Sequence, residues 1–377
     1  MKVAIDLLPA KSQHHGVGVY VTNILKYLIP KGKSYTFFLY KRKKGIPIPN
    51  HESHRNRKWK EINLPTPLRI IWEHSSLPFL LAKEKVNLLW SPCNILPLVK
   101  TCRYVVTIHD LVPFLLPFSL PFIRRIYYQQ MFFNSIKKAD KIIAVSQSTK
   151  SDLMRLFSVP ERKIAVIHNG LDEKFQPITD KLTLSLVREK YHLPSEFILT
   201  LGVLQPKKNT ERLLLAYAEL KKSLPNLPKL VIGGSRKYGW LNTRLLPMVK
   251  NLKLDSEVIF PGVILLADLP AVYSLAKVFI LPSLYEGFGL PVLEAMACGT
   301  PVVTSNISSL PEVAGDAAIL VNPYDVSDIA RGIKEALLNE KKRQEMIEKG
   351  LKNVQRFSWR KAADEVLEVL EEVLKEG

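Results

Sequence analysis

The chain has 377 residues, too many for one ordinary hydrophobic core, and its net charge of +19 is concentrated in residues 1–174, which carry +17. Hydrophobic residues make up 47% of the sequence, yet no apolar run approaches the roughly 20 residues of a membrane-spanning helix, and Cys93, Cys102 and Cys298 fit no zinc spacing. These features argue against a membrane-spanning protein and a disulfide framework, and we expect two domains in a reducing, cytoplasmic compartment, the first with an anionic partner.

Strand-like and helix-like segments alternate in the N-terminal half. Apolar runs predict strands at residues 2–8, 35–40, 104–109, 141–146 and 163–168. Helices are predicted at residues 18–28 and 148–157, the second with Ser148 as its cap. The first apolar run contains Asp6, so we interpret it as a strand and not as a signal peptide.

Residues 171–183 contain Pro177 and no clear period, which predicts an interdomain linker. The alternation then resumes, with strands predicted at residues 197–202, 229–233, 258–260, 277–281, 301–304 and 317–321. Helices are predicted at residues 209–220, 290–298, 326–338, 341–354 and 359–374. Because strands and helices alternate in both halves, we predict an α/β fold of two doubly wound, Rossmann-like domains.

The most informative segment runs from Glu286 to Glu294, where two carboxylates bracket a Gly-rich turn. The turn lies between a buried-strand run and a helix predicted to begin at Leu290, at the carboxyl end of a parallel strand, where α/β sheets bind ligands. Gly287 and Gly289 allow the backbone to approach a ligand closely, and the amides of the first helical turn favour phosphate. The segment therefore predicts a ligand site.

Together with residues 295–303 and 309–315, this segment resembles the signature of the retaining family 4 glycosyltransferases. Other segments resemble that family in chain order: the Gly-rich loop at residues 14–20, a His-containing strand end at 107–110, the end of the first domain at 166–172 and a basic diphosphate loop at 202–209. The resemblance covers essentially the whole chain.

The resemblance implies the GT-B fold, in which two Rossmann-like domains face each other across a cleft. The expected domains are an acceptor-binding domain at residues 1–174, a nucleotide-sugar-binding domain at 175–357 and a C-terminal helix at 358–377 that packs on the first domain. The implied enzyme moves a hexosyl group from a nucleotide-diphosphate sugar to a glycan or lipid-linked acceptor, with retention at the anomeric carbon and without a metal or other cofactor.

The sequence contains no Asp-x-Asp, the usual metal–diphosphate ligand of the other main glycosyltransferase fold. Lys207 and Lys208 are therefore candidate cations for the leaving diphosphate. Many relatives carry an Arg where this chain has Val203 after Gly202, so the diphosphate either has one cation fewer or uses Lys207 instead. The similarity of residues 202–209 to the Gly-Thr-Leu-Glu-Pro-Arg-Lys-Asn run of some mannosyl-transferring relatives favours GDP-mannose as the donor.

Matching positions imply roles for further residues. Glu286 is expected to accept hydrogen bonds from the donor sugar and so to orient its anomeric carbon, and Glu294 to accept them from the ribose. The amides of Phe288, Gly289 and Leu290 are expected to hold sugar and phosphate.

In the N-terminal domain the resemblance assigns two glycines and a histidine to the donor. Gly16 and Gly18 are expected to let the first loop approach the diphosphate. His109 is expected to face the donor sugar and is, with Glu286, a candidate catalytic residue. No residue of the sequence is an obvious nucleophile.

The basic N-terminal half contains dense basic runs at residues 41–44 and 55–60, and it mixes large apolar residues with Arg at 68–72 and 114–133. Aromatic residues beside Lys and Arg favour peripheral attachment to an anionic membrane face, although they could equally be core residues, and the charge could serve an anionic acceptor or solubility. Two alternatives remain: a nucleotide-sugar epimerase, whose additional acid–base groups we cannot locate, and a nucleic-acid-binding protein, for which no recognition motif is present.

Overall fold

A computed structural model describes residues 1–8, 10, 16–42, 59–64, 69–119, 121–235 and 241–376. The chain divides into two compact units. Unit 1 comprises Met1–Gly170 and Phe357–Gly377, and unit 2 comprises Leu171–Arg356. The domain boundary expected from the sequence fell after residue 174.

Unit 1 contains a parallel sheet in which the described residues form seven strands in the order β3-β2-β1-β4-β5-β6-β7. The strands are β1 (Lys2–Asp6), β2 (Thr36–Arg42), β3 (Trp59–Leu64), β4 (Leu88–Ser91), β5 (Arg103–Ile108), β6 (Lys141–Ala144) and β7 (Ile164–Val166). The helices before the linker are α1 (Gly16–Lys31), α2 (Arg69–Ile71), α3 (Leu77–Lys83), α4 (Val112–Leu115), α5 (Phe122–Lys138) and α6 (Gln147–Phe157). The order reverses between β1 and β4, which is the switch point of a doubly wound sheet.

The helix α6 begins one residue earlier than predicted, and its cap is Ser146 and not Ser148. Ser146 has an extended backbone, and its Oγ accepts a hydrogen bond of 3.0 Å from the Thr149 amide. The prediction of Ser148 was wrong because that residue already lies inside the first helical turn, where it cannot adopt the extended geometry of a cap.

Unit 2 contains a parallel sheet in which the described residues form six strands in the order β10-β9-β8-β11-β12-β13. The strands are β8 (Phe197–Leu201), β9 (Lys229–Gly233), β10 (Val258–Gly262), β11 (Val278–Leu281), β12 (Val302–Ser305) and β13 (Ala318–Val321). The helices are α7 (Lys181–Lys190), α8 (Thr210–Ser223), α9 (Leu246–Asn251), α10 (Leu269–Leu275), α11 (Leu290–Ala297), α12 (Leu310–Ala314), α13 (Val326–Leu338) and α14 (Glu340–Asn353). The switch point here lies between β8 and β11.

The predicted linker at residues 171–183 is shorter in the structure, because α7 begins at Lys181 with Asp180 as its cap. Apolar side chains of α8, α9 and α13 pack against the sheet and form the core of unit 2. These buried contacts fix the two strands whose ends form the site described below.

The last helix, α15 (Trp359–Lys375), belongs to unit 1 and packs against α1. Lys141 Nζ pairs with a carboxylate oxygen of Glu372 in α15 at 2.6 Å. A Cβ on Gly170 would lie 2.0 Å from the Trp359 backbone nitrogen, so glycine at this position permits the close approach of two backbone segments. None of the described helices is long and apolar enough to cross a bilayer.

Candidate functional site

The ends of β8 and β11, the two strands at the switch point of unit 2, bring three predicted residues together. Lys207 and Lys208 lie in a short 3₁₀ turn (Pro206–Lys208) after β8, and Glu286 follows β11. The Leu284 amide donates to the Lys207 carbonyl oxygen at 2.8 Å, which joins the two loops. Ligands of doubly wound sheets bind at this edge.

Glu286 is 8% exposed, and its carboxylate contacts two cations and a hydroxyl. Lys208 Nζ lies 2.6 Å from Oε1, and Lys207 Nζ lies 3.6 Å from Oε2. Ser283 Oγ donates to Oε1 at 2.7 Å. Burial opposes ionisation of Glu286, but the two lysines and these hydrogen bonds outweigh it and lower its pKa to about 2. The group is therefore an ionised hydrogen-bond acceptor and a weak base.

The backbone around Lys208 is shaped to hold that side chain. Gly202, after β8, has φ of +149°, and a Cβ there would lie 2.9 Å from Lys208 Cε. Asn209 adopts a left-handed conformation with φ of 59°, and its side-chain amide donates to the carbonyl oxygens of Pro282 and Pro323 at 3.0 and 2.7 Å. These contacts anchor the lysine pair to the end of β11.

The Gly-rich turn between Glu286 and α11 is held by the loop after β12. The Glu286 amide donates to Ser308 Oγ at 3.2 Å, and Ser309 Oγ donates to the carbonyl oxygens of Glu286 and Phe288. Gly289 has φ of +124°, a conformation that L side chains rarely adopt, and a Cβ there would lie 2.9 Å from Leu310 Cδ2. The turn therefore requires glycine at 289.

The predicted helix after this turn begins at Leu290, so the amides of its first turn lie directly after Gly289. Phe288 is buried. Gly287 does not have a positive φ, so its expected close approach to a ligand depends only on its lack of a side chain. Glu294 lies at the middle of α11, and its Oε2 accepts a hydrogen bond of 2.9 Å from the Tyr273 hydroxyl. Burial raises the pKa of Glu294 to about 7, although the Tyr273 bond and Lys174 oppose the shift.

His109 follows β5 in unit 1, and its ring is oriented by two neighbours. Its Nε2 lies 2.7 Å from the Pro92 carbonyl oxygen, and its ring contacts Tyr20 edge-on with 4.9 Å between centroids. Because a carbonyl oxygen only accepts, Nε2 carries the proton and Nδ1 is the acceptor nitrogen of the neutral ring. Burial lowers the pKa of His109, despite the Pro92 bond and Asp110, so the ring is neutral at pH 7.

The two predicted glycines of unit 1 lie in the first turn of α1, which starts at Gly16. A Cβ on Gly16 would meet no atom within 4 Å, whereas Gly18 is buried. The predicted helix start at residue 18 was therefore two residues late, and Gly18 belongs to the helix and not to a loop. Residues 14 and 15 of the resembling loop lie outside the described residues.

Sequence reasoning missed the side chains that support the predicted site. They are Ser283, Ser308, Ser309 and Tyr273 around the two glutamates, and Asn94, whose side-chain oxygen accepts from the His109 amide at 2.8 Å. Ser309 opens the segment at 309–315 that already pointed to the family, so its position was a usable signal. The other contacts join residues far apart in sequence and leave no local pattern.

Two family profiles match the chain. The profile described as "Glycosyltransferase Family 4" matches residues 14–175, and the profile described as "Glycosyl transferases group 1" matches residues 187–353. The chain is 35% identical over 258 residues to the "O-antigen chain mannosyltransferase B" of Escherichia coli, covering 68% of this chain and 67% of that protein. The chain belongs to the group 1 and family 4 glycosyltransferases.

Longer relatives match this glycosyltransferase over a smaller share of their length. It is 36% identical over 266 residues to the "Serotype-specific mannosyltransferase WbdA" of Escherichia coli, which is 69% of this chain and 32% of that protein. The chain thus spans about a third of WbdA.

Solved structures confirm the predicted GT-B class for this glycosyltransferase. The sucrose-phosphate synthase of Thermosynechococcus elongatus superposes with a TM-score of 0.78 at 20% identity and covers 100% of both chains. Anabaena HepE, solved in complex with UDP-glucose, gives a TM-score of 0.75 at 18% identity and covers 99% of this chain and 100% of its own. At such identities the likeness establishes the fold and leaves the substrates to be argued from the site.

Proposed function

We propose that this glycosyltransferase moves a hexosyl group, with mannose favoured, from a nucleotide-diphosphate sugar to a glycan or lipid-linked acceptor, with retention and without a metal. The observation that carries the proposal is the cluster in which Glu286 contacts Lys208 at 2.6 Å and Lys207 at 3.6 Å. A carboxylate suits sugar hydroxyls and the two ammonium groups suit a diphosphate, so one switch point holds partners for both halves of such a donor.

In this proposal the charges redistribute when the donor binds. The diphosphate oxygens take hydrogen bonds from the two lysines, which in the structure pair with Glu286. Glu286 keeps the Ser283 hydrogen bond and accepts from the sugar hydroxyls, which fixes the anomeric carbon. As the glycosidic bond to phosphate breaks, the lysines and the first-turn amides of α11 stabilise the negative charge of the leaving diphosphate.

The protonation states favour stabilisation of the leaving group over proton abstraction by Glu286. The pKa of this glutamate, about 2, makes it a poor base for an acceptor hydroxyl. His109 presents a neutral ring that can accept a hydrogen bond from the donor sugar, in line with its expected role. Retention follows from the family resemblance, and these groups are compatible with it.

The mannosyl preference rests on relatives and on the basic loop. The names of the Escherichia coli relatives refer to mannosyltransferases, one of them acting on the O-antigen chain. We therefore propose GDP-mannose as the donor and a growing polysaccharide, lipid-linked in the cell, as the acceptor.

The test is a screen of GDP-mannose, UDP-glucose, UDP-galactose and UDP-N-acetylglucosamine for thermal stabilisation and for release of nucleoside diphosphate. We expect stabilisation and turnover with GDP-mannose, and an α-linked product by NMR when a mannan acceptor is added. Turnover of a UDP-sugar alone would overturn the mannosyl assignment, and a β-linked product would overturn retention.

We further propose that unit 1 attaches reversibly to an anionic membrane face through α5. This helix exposes Phe122 (64%), Ile123 (83%) and Ile126 (42%) on one side. Its sequence includes Arg124, Arg125 and two further lysines but no Asp or Glu. Apolar residues flanked by cations suit insertion at the boundary between anionic headgroups and acyl chains.

The two basic runs at residues 41–44 and 55–60 contribute less to this proposal. Residues 43, 44 and 55–58 lie outside the described residues. Of the described lysines, Lys41 pairs with Glu61 at 3.3 Å and Lys60 with Glu84 at 3.8 Å. Support for attachment therefore comes mainly from α5.

Liposome co-sedimentation tests this attachment. We expect wild type to sediment with phosphatidylglycerol vesicles at low salt and to be released at 1 M salt, where the Debye length is about 3 Å. The double variant Phe122→Ser/Ile123→Ser should lose most of this binding. Leu182→Ser, at a leucine of unit 2 that is 68% exposed, should retain it. Equal binding of all three proteins, or binding to neutral vesicles alone, would contradict the proposal.

A further inference from the structure

Tyr273, which the sequence did not single out, holds one oxygen of Glu294. The residue lies in α10, is 1% exposed, and donates its hydroxyl proton to Glu294 Oε2 at 2.9 Å. Burial and the neighbouring carboxylate raise the pKa of Tyr273 well above its ordinary value, so the phenol remains a donor at every physiological pH.

The Tyr273 ring is fixed on several sides. It contacts Phe279 of β11 and Phe175 edge-on, with 5.4 and 6.2 Å between ring centroids. The backbone of Tyr273 is held as well, because Thr300 Oγ1 donates to its carbonyl oxygen at 2.7 Å. A rigid donor of this kind limits the rotamers available to the carboxylate that it contacts.

A carboxylate has about four lone-pair positions, so one bond from Tyr273 leaves acceptor capacity for further donors. The charged groups around Glu294 are of both signs: Lys174 and Lys208 favour its ionised form, and Asp172 disfavours it. Cys298 is a further titratable neighbour, and burial together with Glu294 raises its pKa to about 12, which keeps the thiol neutral.

We propose that Tyr273 is a positioning residue, whose hydroxyl fixes the Glu294 carboxylate so that its remaining lone pairs accept from the 2′- and 3′-hydroxyls of the donor nucleotide. The inference rests on the proposed function, because it requires that a nucleotide binds at α11. It adds that recognition of the ribose diol depends on a side chain that does not itself touch the ribose.

The proposal has a consequence for pH. The pKa of Glu294 is raised to about 7, and the ionised form is the one that accepts from two hydroxyls, so affinity for the diol falls as the pH drops below 7. The Tyr273 hydrogen bond lowers this pKa, so its removal shifts the loss of affinity to higher pH. Removing the hydroxyl of a tyrosine that only supports the fold would not change the pH at which affinity for the diol is lost.

The experiment measures binding by calorimetry between pH 6 and 8.5 for wild type, Tyr273→Phe and Tyr217→Phe. Tyr217 is a matched control, because it is fully buried in unit 2 and donates its hydroxyl to the Pro228 carbonyl oxygen at 3.0 Å. The probes are GDP, UDP and the 2′,3′-dideoxy analogue of whichever binds wild type more tightly. Comparing variants at each pH cancels the titration of the phosphate itself.

We expect Tyr273→Phe to weaken the diol nucleotide roughly tenfold and the dideoxy nucleotide less than twofold, with the midpoint of the pH profile moved upward. Tyr217→Phe should leave both affinities and the profile unchanged. An equal loss for both nucleotides, no loss for either, or an unmoved midpoint in Tyr273→Phe would overturn the inference while the proposed function stands. Wild type that binds neither GDP nor UDP would overturn the proposed function, and this inference with it.

Discussion

The two units have related doubly wound topologies but place different chemistry at their switch points. In unit 2 the ends of β8 and β11 carry Lys207, Lys208 and Glu286, which are charged and paired. In unit 1 the Asp6 carboxylate at the end of β1 accepts from the Leu8 amide and the Trp72 indole, both at 3.1 Å. The same topology thus carries a cluster of paired charges in unit 2 and a carboxylate with structural hydrogen bonds in unit 1.

Unit 1 also differs from unit 2 in the aromatic side chains that surround its candidate catalytic residue, His109. In unit 1, Tyr20 packs edge-on against His109 and against Trp90, with 4.9 and 6.3 Å between centroids. The Trp90 indole and the Tyr20 hydroxyl both lie within hydrogen-bond distance of Thr107 Oγ1. Aromatic side chains therefore pack around His109 in unit 1, whereas unit 2 carries the charged groups that we propose bind the diphosphate. We infer that loss of a charge in unit 2 costs more activity than loss of the imidazole in unit 1.

The largest effect is expected from Glu286→Ala, which removes the group that we propose orients the donor sugar. We expect turnover to fall a hundredfold or more, or about 3–4 kcal/mol, with the fold intact by circular dichroism. Glu257→Ala is the matched control, because Glu257 pairs with Lys221 at 3.0 Å in the same unit, away from the switch point. Activity of Glu286→Ala within threefold of wild type would remove the basis for assigning the charged cluster to catalysis.

Lys208→Ala should follow, with a loss of roughly thirtyfold in kcat/KM and weaker binding of nucleoside diphosphate. Lys207→Ala should cost less, because Lys207 lies 3.6 Å from Glu286 whereas Lys208 lies 2.6 Å from it. The control is Lys221→Ala, which removes the cation of the Glu257 pair. A larger loss for Lys207→Ala than for Lys208→Ala would indicate that Lys207 replaces the arginine that many relatives carry at the position of Val203.

The amino-acid sequence reveals some elements of the candidate site directly and leaves others without a local pattern. The strands β8 and β11 were predicted because they are predominantly apolar runs, and the Gly-rich turn because two carboxylates bracket it. The sequence reading missed β3 (Trp59–Leu64), whose lysine, glutamate and asparagine break the apolar pattern, and β4 (Leu88–Ser91), whose apolar run is only three residues long and ends at Ser91. An edge strand with several polar residues and a strand with so short an apolar run both lack the pattern by which the other strands were recognised.

The supporting contacts escaped prediction for a different reason. Tyr273 and Glu294 are 21 residues apart, and Lys208 and Glu286 are 78 apart. Such contacts are set by strand order, which the sequence pattern did not specify. The helix α5 was read as a mixed aromatic and basic segment, because its exposed phenylalanines obscure the polar face that normally marks an amphipathic helix.

His109→Phe tests the unit 1 side of the comparison and should have a smaller effect. The phenyl ring keeps the edge contact with Tyr20 but loses the Nδ1 acceptor, so we expect about a tenfold loss of turnover. Burial lowers the pKa of His109, so wild-type activity should not decline between pH 8 and 7 through protonation of this ring. A hundredfold loss, equal to that of Glu286→Ala, would show that the imidazole matters as much as the charged cluster.

The smallest effect is expected from chelation. Lys207 and Lys208 are the cations that we propose bind the diphosphate, and a lysine pair can stabilise the leaving group without a metal. Donor turnover should therefore persist in EDTA at a rate within twofold of that in magnesium. Inactivation by EDTA that magnesium or manganese reverses would mean that a metal neutralises the diphosphate. Lys208→Ala would then be nearly silent in saturating metal, so measuring that variant with and without metal distinguishes a catalytic lysine pair from one that only compensates the charge of Glu286.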